Sequence, residues 1–260
     1  MCLLVFAWKS HPRYRLIFAG NRDEFHDRPA APLGWWTEPE YRDILAGRDL
    51  QAGGTWLGLA RNGAFGVVTN YRDMQRPLPG APSRGELITQ WLTQGRTAEQ
   101  FAGALGTRAA EYAGFNLLIA DPGDGNMVYA ANRASPFARA LEPGIYGLSN
   151  HLLDTPWPKL ERTRARFERL VATDDPSLDD LERMLGDREP ARDEDLPATG
   201  LPPERERLLS APFIVDTNYG TRCTTLVTVA PSGRVRVRER RFDPSGRSVG
   251  MEEFTYAAGP

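Results

Sequence analysis

The residue best placed to do chemistry is Cys2, directly behind Met1. A cysteine is small enough for a methionine ahead of it to be trimmed. Trimming would leave one residue with both a free α-amine and a thiol. The ordinary thiol pKa is about 8.5 and that of an α-amine about 7.7 to 8.0, so near neutrality the amine takes the thiol proton at little cost. Such a residue is nucleophile and base at once, suited to attack on an amide or other acyl carbon through a thioester. In an arbitrary chain, a cysteine heading an apolar run more often serves as packing. Its neighbours decide between the two readings.

The elements that must position it begin immediately. Residues 3–8, a polar turn at 9–13 and residues 14–20 read as a β-hairpin, because short apolar runs bounded by Pro12 and Gly20 favour buried strands. Antiparallel pairing brings the following Asn21-Arg22-Asp23-Glu24 back beside residue 2, with a cation and two carboxylates near the thiol. Residues 28–36 are too proline-dense for a strand or helix and are expected as a loop that walls a pocket. Two strands, 53–59 and 63–71, flank the Asn62-Gly63 turn, and the second carries Asn70 at its end. Residues 73–83, with three prolines, are expected as a loop.

The period then changes. Leu87, Ile88, Trp91 and Leu92 share one helical face, and Phe101, Ala104, Leu105, Ala109 and Tyr112 share another, in a helix begun by Thr97. Strands follow at 115–120, 127–132 and 144–148, the last ending in Ser149-Asn150. Helices are expected at 160–171 and 178–185, an exposed loop at 187–197, and strands at 213–215, 226–229, 235–237 and 254–256. Hairpins in place of alternating strand and helix units predict an α+β fold, antiparallel sheets sandwiched by helices, in one domain over residues 1–260.

Composition is that of a globular protein, with 41% hydrophobic and 25% charged residues. The formal net charge of −2 offers no field to attract nucleic acid or an anionic membrane. The basic stripe at 234–241 alternates as a strand with one solvated face. The two cysteines, Cys2 and Cys223, have no disulfide or metal spacing, so no metal is expected. The N-terminal apolar run is too short for a signal peptide or a spanning helix, so a cytoplasmic protein without an integral membrane segment is expected.

Seven motifs in order carry a resemblance: Met1-Cys2, the tetrad with Arg28-Pro29, residues 54–58, Thr69-Asn70-Tyr71-Arg72, Ser83-Arg84-Gly85, Gly147-Leu148-Ser149-Asn150 and Gly220-Thr221-Arg222. Across essentially the whole chain the sequence resembles the NRDE family, named for its tetrad, which includes the Transport and Golgi organisation protein two homologs of eukaryotes. The resemblance implies a four-layer αββα sandwich of N-terminal-nucleophile (Ntn) hydrolase type. It also points to the cysteine acylases that cleave bile-salt amides and penicillin V. Matched to their pattern, Cys2 takes the place of the nucleophile, Asn70 and Asn150 that of two strand-end asparagines, and Arg222 that of a late arginine. Those acylases space arginine and aspartate three apart, whereas Arg22 and Asp23 are adjacent here and Glu24 overlays the aspartate. Either carboxylate remains open as the group that orients the amine.

Physical roles agree. A strand-end asparagine amide can donate to an oxyanion, and an arginine lowers a nearby thiol pKa. Two functions follow. One is an enzyme that hydrolyses an amide or acyl bond of a small molecule through Cys2, with no cofactor required. The other is a carrier on the same fold that binds haem, acyl-lipid or acyl-CoA. No Cys-x-x-Cys-His site is present, so any haem would be held without covalent attachment.

Overall fold

The structure, a computed structural model, describes residues 2–72 and 80–259. In chain order the first half contains β1 (Cys2–Trp8), β2 (Leu16–Phe25), β3 (Ala30–Trp35), β4 (Ile44–Asp49), β5 (Leu57–Ala60), β6 (Phe65–Asn70), α1 (Glu86–Thr93) and α2 (Ala98–Gly106). The second half contains β7 (Phe115–Ala120), β8 (Met127–Ala131), β9 (Ala138–Ala140), β10 (Gly144–Leu148), α3 (Pro158–Val171), α4 (Leu178–Leu185), α5 (Pro203–Leu209), β11 (Tyr219–Val229), β12 (Arg234–Phe242) and β13 (Ser248–Ala257). One antiparallel sheet has the order β10-β1-β2-β11-β12-β13, and the other runs from β3 through β9 in sequence order.

Strand alternation sorts the apolar residues into layers. Leu4, Phe6, Trp8 and Phe18 meet Leu57, Leu59, Phe65 and Leu118 in a core between the sheets. Leu3, Val5, Ile17 and Ala19 point the other way and pack on Leu160, Phe167 and Leu181 of α3 and α4. On the far side, Val68, Leu117 and Ile119 pack on Leu87, Ile88 and Phe101 of α1 and α2. The result is the expected αββα sandwich. Local signals agree, since Thr97 and Gln100 form a reciprocal capping box at the start of α2.

Several elements depart from the sequence reading. Residues 30–35 form a strand instead of a loop: β3 is an edge strand with a register break between Ala31 and Gly34, and that irregular edge tolerates Pro32. Residues 213–215 do not form a strand. Their amides go elsewhere, Phe213 N to Asp187 O (2.8 Å) and Ile214 N to Thr221 Oγ1 (2.9 Å). Helix α2 stops at Gly106, leaving Ala109 in a separate short turn. Helix α5 had no counterpart in the reading. Of the loop expected at 73–83, residues 73–79 lie outside the described residues. No helix among the described residues is long and apolar enough to cross a membrane.

Candidate active site at the paired strand ends

Strand β2 continues past Gly20 through the whole tetrad, and its register places Arg22 directly opposite Cys2. Alternation then splits the tetrad between the two faces of the sheet. Arg22 shares the inter-sheet face with Cys2, where a cavity of about 20 Å³ is lined by Cys2, Leu4, Phe18, Arg22, Trp56 and Val67 among others. The Arg22 guanidinium stacks 4.2 Å from the Trp56 ring centre. Asn21 and Asp23 face the helices. Asn21 Nδ2 donates to Leu185 O and Pro212 O, both at 2.9 Å, and its Oδ1 accepts from Thr224 Oγ1 at 2.6 Å. With both ends of its amide engaged, Asn21 anchors the strand to α4.

Asp23 is buried and accepts from Thr221 Oγ1 at 2.7 Å. Burial pushes its carboxyl above the usual carboxylate range, against the opposing pull of Lys159 and of Thr221. Cys2 is half-buried, and desolvation raises its thiol while the Arg22 charge and the Asp23 backbone N–H pull it down. The Asp23 charge acts on the Cys2 sulfur. Glu24 instead stands among Arg28, Arg84 and Arg222, with Oε1 accepting from Phe25 N at 2.9 Å.

Strand β10 pairs with the other edge of β1, Leu148 opposite Leu4, so Ser149 and Asn150 run on past Cys2. The Cys2 N–H donates to Asn150 Oδ1 at 3.3 Å, and Ser149 Oγ donates to Cys2 O at 3.2 Å. Asn150 Nδ2 donates to Asn70 Oδ1 at 2.6 Å and to Asn70 O at 3.1 Å. This chain fixes the Asn70 amide. Its oxygen is engaged with Asn150, and its Nδ2 donates to no partner among the described residues.

Two side chains that the sequence reading left unassigned brace the asparagines. His151 Nε2 and Tyr71 Oη lie 2.7 Å apart, and His151 Nδ1 and Thr155 Oγ1 2.8 Å apart. Burial lowers the His151 pKa. The second sheet joins in through Asn116, whose Nδ2 donates to Thr69 Oγ1 (3.2 Å) and His151 O (2.9 Å). A sequence signal existed, because Tyr71 and His151 each follow one of the two asparagines directly.

Three further cations complete the surroundings. Arg222 sits at a bulge in β11, where its Nη1 donates to Phe25 O (2.7 Å) and Arg28 O (3.1 Å) at the rim. Arg84 is half-buried, donates to Gly114 O at 3.0 Å, and its charge reaches both Cys2 and Glu24. A close backbone crossing puts it there: a Cβ on Gly54 would fall 2.5 Å from the Gly85 carbonyl carbon, so the loop beside Arg84 requires glycine. Lys159, at the start of α3, is 2% exposed and donates to Leu209 O at 2.9 Å. Among the residues singled out from sequence, Cys2, Arg22, Asp23, Asn70 and Asn150 thus form one cluster, with Glu24 and Arg222 on its rim. Arg84 was visible in a motif but given no role, and Lys159 lay in none.

Fold and site together define an αββα protein built around the cysteine that heads its first strand. The chain belongs to the Transport and Golgi organisation 2 family, whose family model matches residues 1–244. It is 34% identical over 276 residues to the Transport and Golgi organization 2 homolog of Mus musculus, covering 98% of this chain and 99% of that protein. Identity to the Homo sapiens homolog is 35% over 280 residues, with 98% and 99% covered. Identity to the Drosophila melanogaster protein is 25% over 271 residues, with 95% of each covered. Among solved structures, a Clostridium perfringens conjugated bile acid hydrolase mutant aligns over 99% of this chain and 98% of its own, at 9% identity and a TM-score of 0.49. A Caenorhabditis elegans N-acylethanolamine-hydrolyzing acid amidase ortholog aligns over 88% and 93%, at 10% identity and a TM-score of 0.46.

Proposed function

We propose that removal of Met1 leaves Cys2 as an N-terminal nucleophile that hydrolyses an amide or acyl bond of a small molecule. The observation that carries this reading is the hydrogen-bond chain from Cys2 N through Asn150 to Asn70. It holds the nitrogen that would become the α-amine, and it leaves Asn70 Nδ2 available as a donor. In the reaction the amine takes the thiol proton and the sulfur attacks the acyl carbon. The oxyanion that forms accepts from Asn70, and the leaving nitrogen or oxygen departs with the proton held by the amine. Water then opens the thioester and returns the thiol. Arg22, directly opposite Cys2, stabilises the thiolate against the burial that opposes it. Asp23 holds the ammonium form of the amine.

The carrier reading has less support. Two hollows, about 660 and 440 Å³, lie along β12 and α4, and no cysteine or histidine lines either. Haem needs an axial ligand in an apolar crevice; both hollows are lined largely by charged and polar residues, and the tyrosine of the larger one, Tyr14, is hydrogen-bonded to Asp175 at 2.6 Å.

The test is intact mass of the native protein followed by labelling with an acyl-type electrophile. The expected result is a mass lacking Met1 and a single adduct on Cys2 that is absent from Cys2→Ala. Retained Met1, or full turnover in Cys2→Ala, would end the proposal. A saturable Soret band, lost on changing one Cys, His or Tyr, would instead favour the carrier.

A further inference from the structure

We infer that Lys159 is a positioning residue whose buried ammonium, facing the helix side of β2, holds the Asp23 carboxylate in its charged form beside Cys2. The inference rests on the nucleophile reading for its catalytic consequence only, since the coupling between the two residues can be measured without turnover.

The argument starts from burial. A lysine with 2% exposure and an aspartate with 1% exposure lie in the same water-poor layer between the first sheet and its helices. Each is costly there unless an opposite charge compensates it. Two carboxylates could serve the lysine, Asp23 from β2 and Glu206 from α5. Glu206 is already committed: Oε2 accepts from Arg72 Nη1 at 2.8 Å, and Oε1 accepts from Thr199 N at 2.9 Å and from the Thr199 hydroxyl. That ion pair is internally neutral, so the countercharge left for Lys159 is Asp23.

The converse also holds. Asp23 receives the Thr221 hydroxyl, and its charge interacts with Arg22, Cys2, Tyr219 and the terminal amine. Of the charged side chains acting on it, Lys159 is the strongest. For Lys159, in turn, Asp23 is the strongest carboxylate, ahead of Glu206, while Arg72 opposes it and Cys2 adds a weaker pull. The two do not form a direct salt bridge among the described residues. They act through the field of a poorly solvated layer, where Coulomb interactions fall off slowly for want of screening water. Burial has already lowered the lysine to about 8 and raised the aspartic acid, so removing either charge moves the other further toward its neutral form. The consequence for the site is direct. A protonated Asp23 no longer holds an ammonium on Cys2, and the proton relay of the nucleophile is lost.

The experiment is an NMR titration of the full chain with Asp labelled at the carboxyl carbon, in which Asp23 is assigned by the signal missing from Asp23→Asn. In Lys159→Met, which keeps the bulk and removes the charge, the Asp23 midpoint rises by at least one pH unit relative to wild type. A midpoint unchanged in Lys159→Met overturns the inference, because packing alone does not titrate Asp23. If Lys159→Met does not fold, the reciprocal arm decides. Coupling between two sites is symmetric, so in Asp23→Asn, with lysine labelled at Cε, the Lys159 midpoint falls below its wild-type value. An unmoved Lys159 midpoint overturns the inference equally. Midpoints that move as stated, in a protein whose Cys2 then proves unreactive, leave the coupling standing and refute only the nucleophile reading.

Discussion

Two regions of this protein set arginines against carboxylates, and they do so in opposite solvents. On the outer face of β12 and β13, Arg236 Nε lies 2.6 Å from Glu253 and Arg238 Nε 2.7 Å from the same carboxylate. Beneath this ladder Val235 and Val237 are fully buried. Behind Cys2, by contrast, Arg72 and Glu206 lie 2.8 Å apart with side chains only 4% and 5% exposed, and Arg72 stacks 4.8 Å from the Trp157 ring centre. Among the outer pairs, that of Arg236, 44% exposed, can exchange its partner for water at little cost. The inner ones cannot, so each buried charge there obliges a specific neighbour to be present. The candidate site stands on that second kind of chemistry, which is why its cations converge from three different layers.

The sharpest way to break the comparison is at the nucleophile. Cys2→Ala abolishes acyl labelling and turnover altogether, as intact mass after labelling would show, while leaving the fold intact by circular dichroism. Arg72→Met follows in size. It strands Glu206 without its cation, and the expected loss is about 3–5 kcal/mol in chemical denaturation. A loss below about 1 kcal/mol would mean that the inner pair behaves like the outer ones.

The next effect depends on pH. Lys159 titrates at about 8 in the fold, against about 10.4 in an unfolded chain. Between those values the unfolded state binds more protons, so stability rises with pH across that window. Relative to Lys159→Met, the wild type gains about 3 kcal/mol from pH 8 to 10.4. Denaturant midpoints at several pH values check this, and a parallel pair of curves would sink it.

The relation of sequence to site follows the same division. The hairpin was readable because both runs are apolar and a tight turn separates them, and antiparallel pairing then had to return the tetrad to Cys2. What the reading missed was that β2 does not stop at Gly20. Once the strand runs to Phe25, adjacent Arg22 and Asp23 must face opposite sides, Arg22 on the face of Cys2 and Asp23 on the helix side. Arg84 and Lys159 were beyond reach for a different reason. Each is placed by distant backbone, the Gly114 and Leu209 carbonyls, and nothing in the local pattern around either residue encodes that partner. Strand β3 was missed because Pro32 argues against a strand, and only tertiary context shows that it occupies an edge.

The smallest expected effect tests the outer half of the comparison. Arg236→Ala removes a guanidinium whose side chain is 44% exposed and whose partner Glu253 keeps a second arginine, Arg238. Its loss therefore leaves no charge uncompensated, and the cost is set by one exposed pair in high dielectric, about 0.2–1 kcal/mol. Because water and counterions reach the pair, even that cost shrinks as ionic strength rises from about 0.01 M to 1 M and the screening length falls from about 30 Å to 3 Å. The Arg72→Met cost, arising from a carboxylate stranded away from counterions, stays nearly constant over the same range. Urea denaturation of both variants at low and high salt measures the contrast directly. A salt-insensitive Arg236→Ala, or an Arg72→Met deficit that salt erases, would show that solvent access does not separate these two sets of arginines.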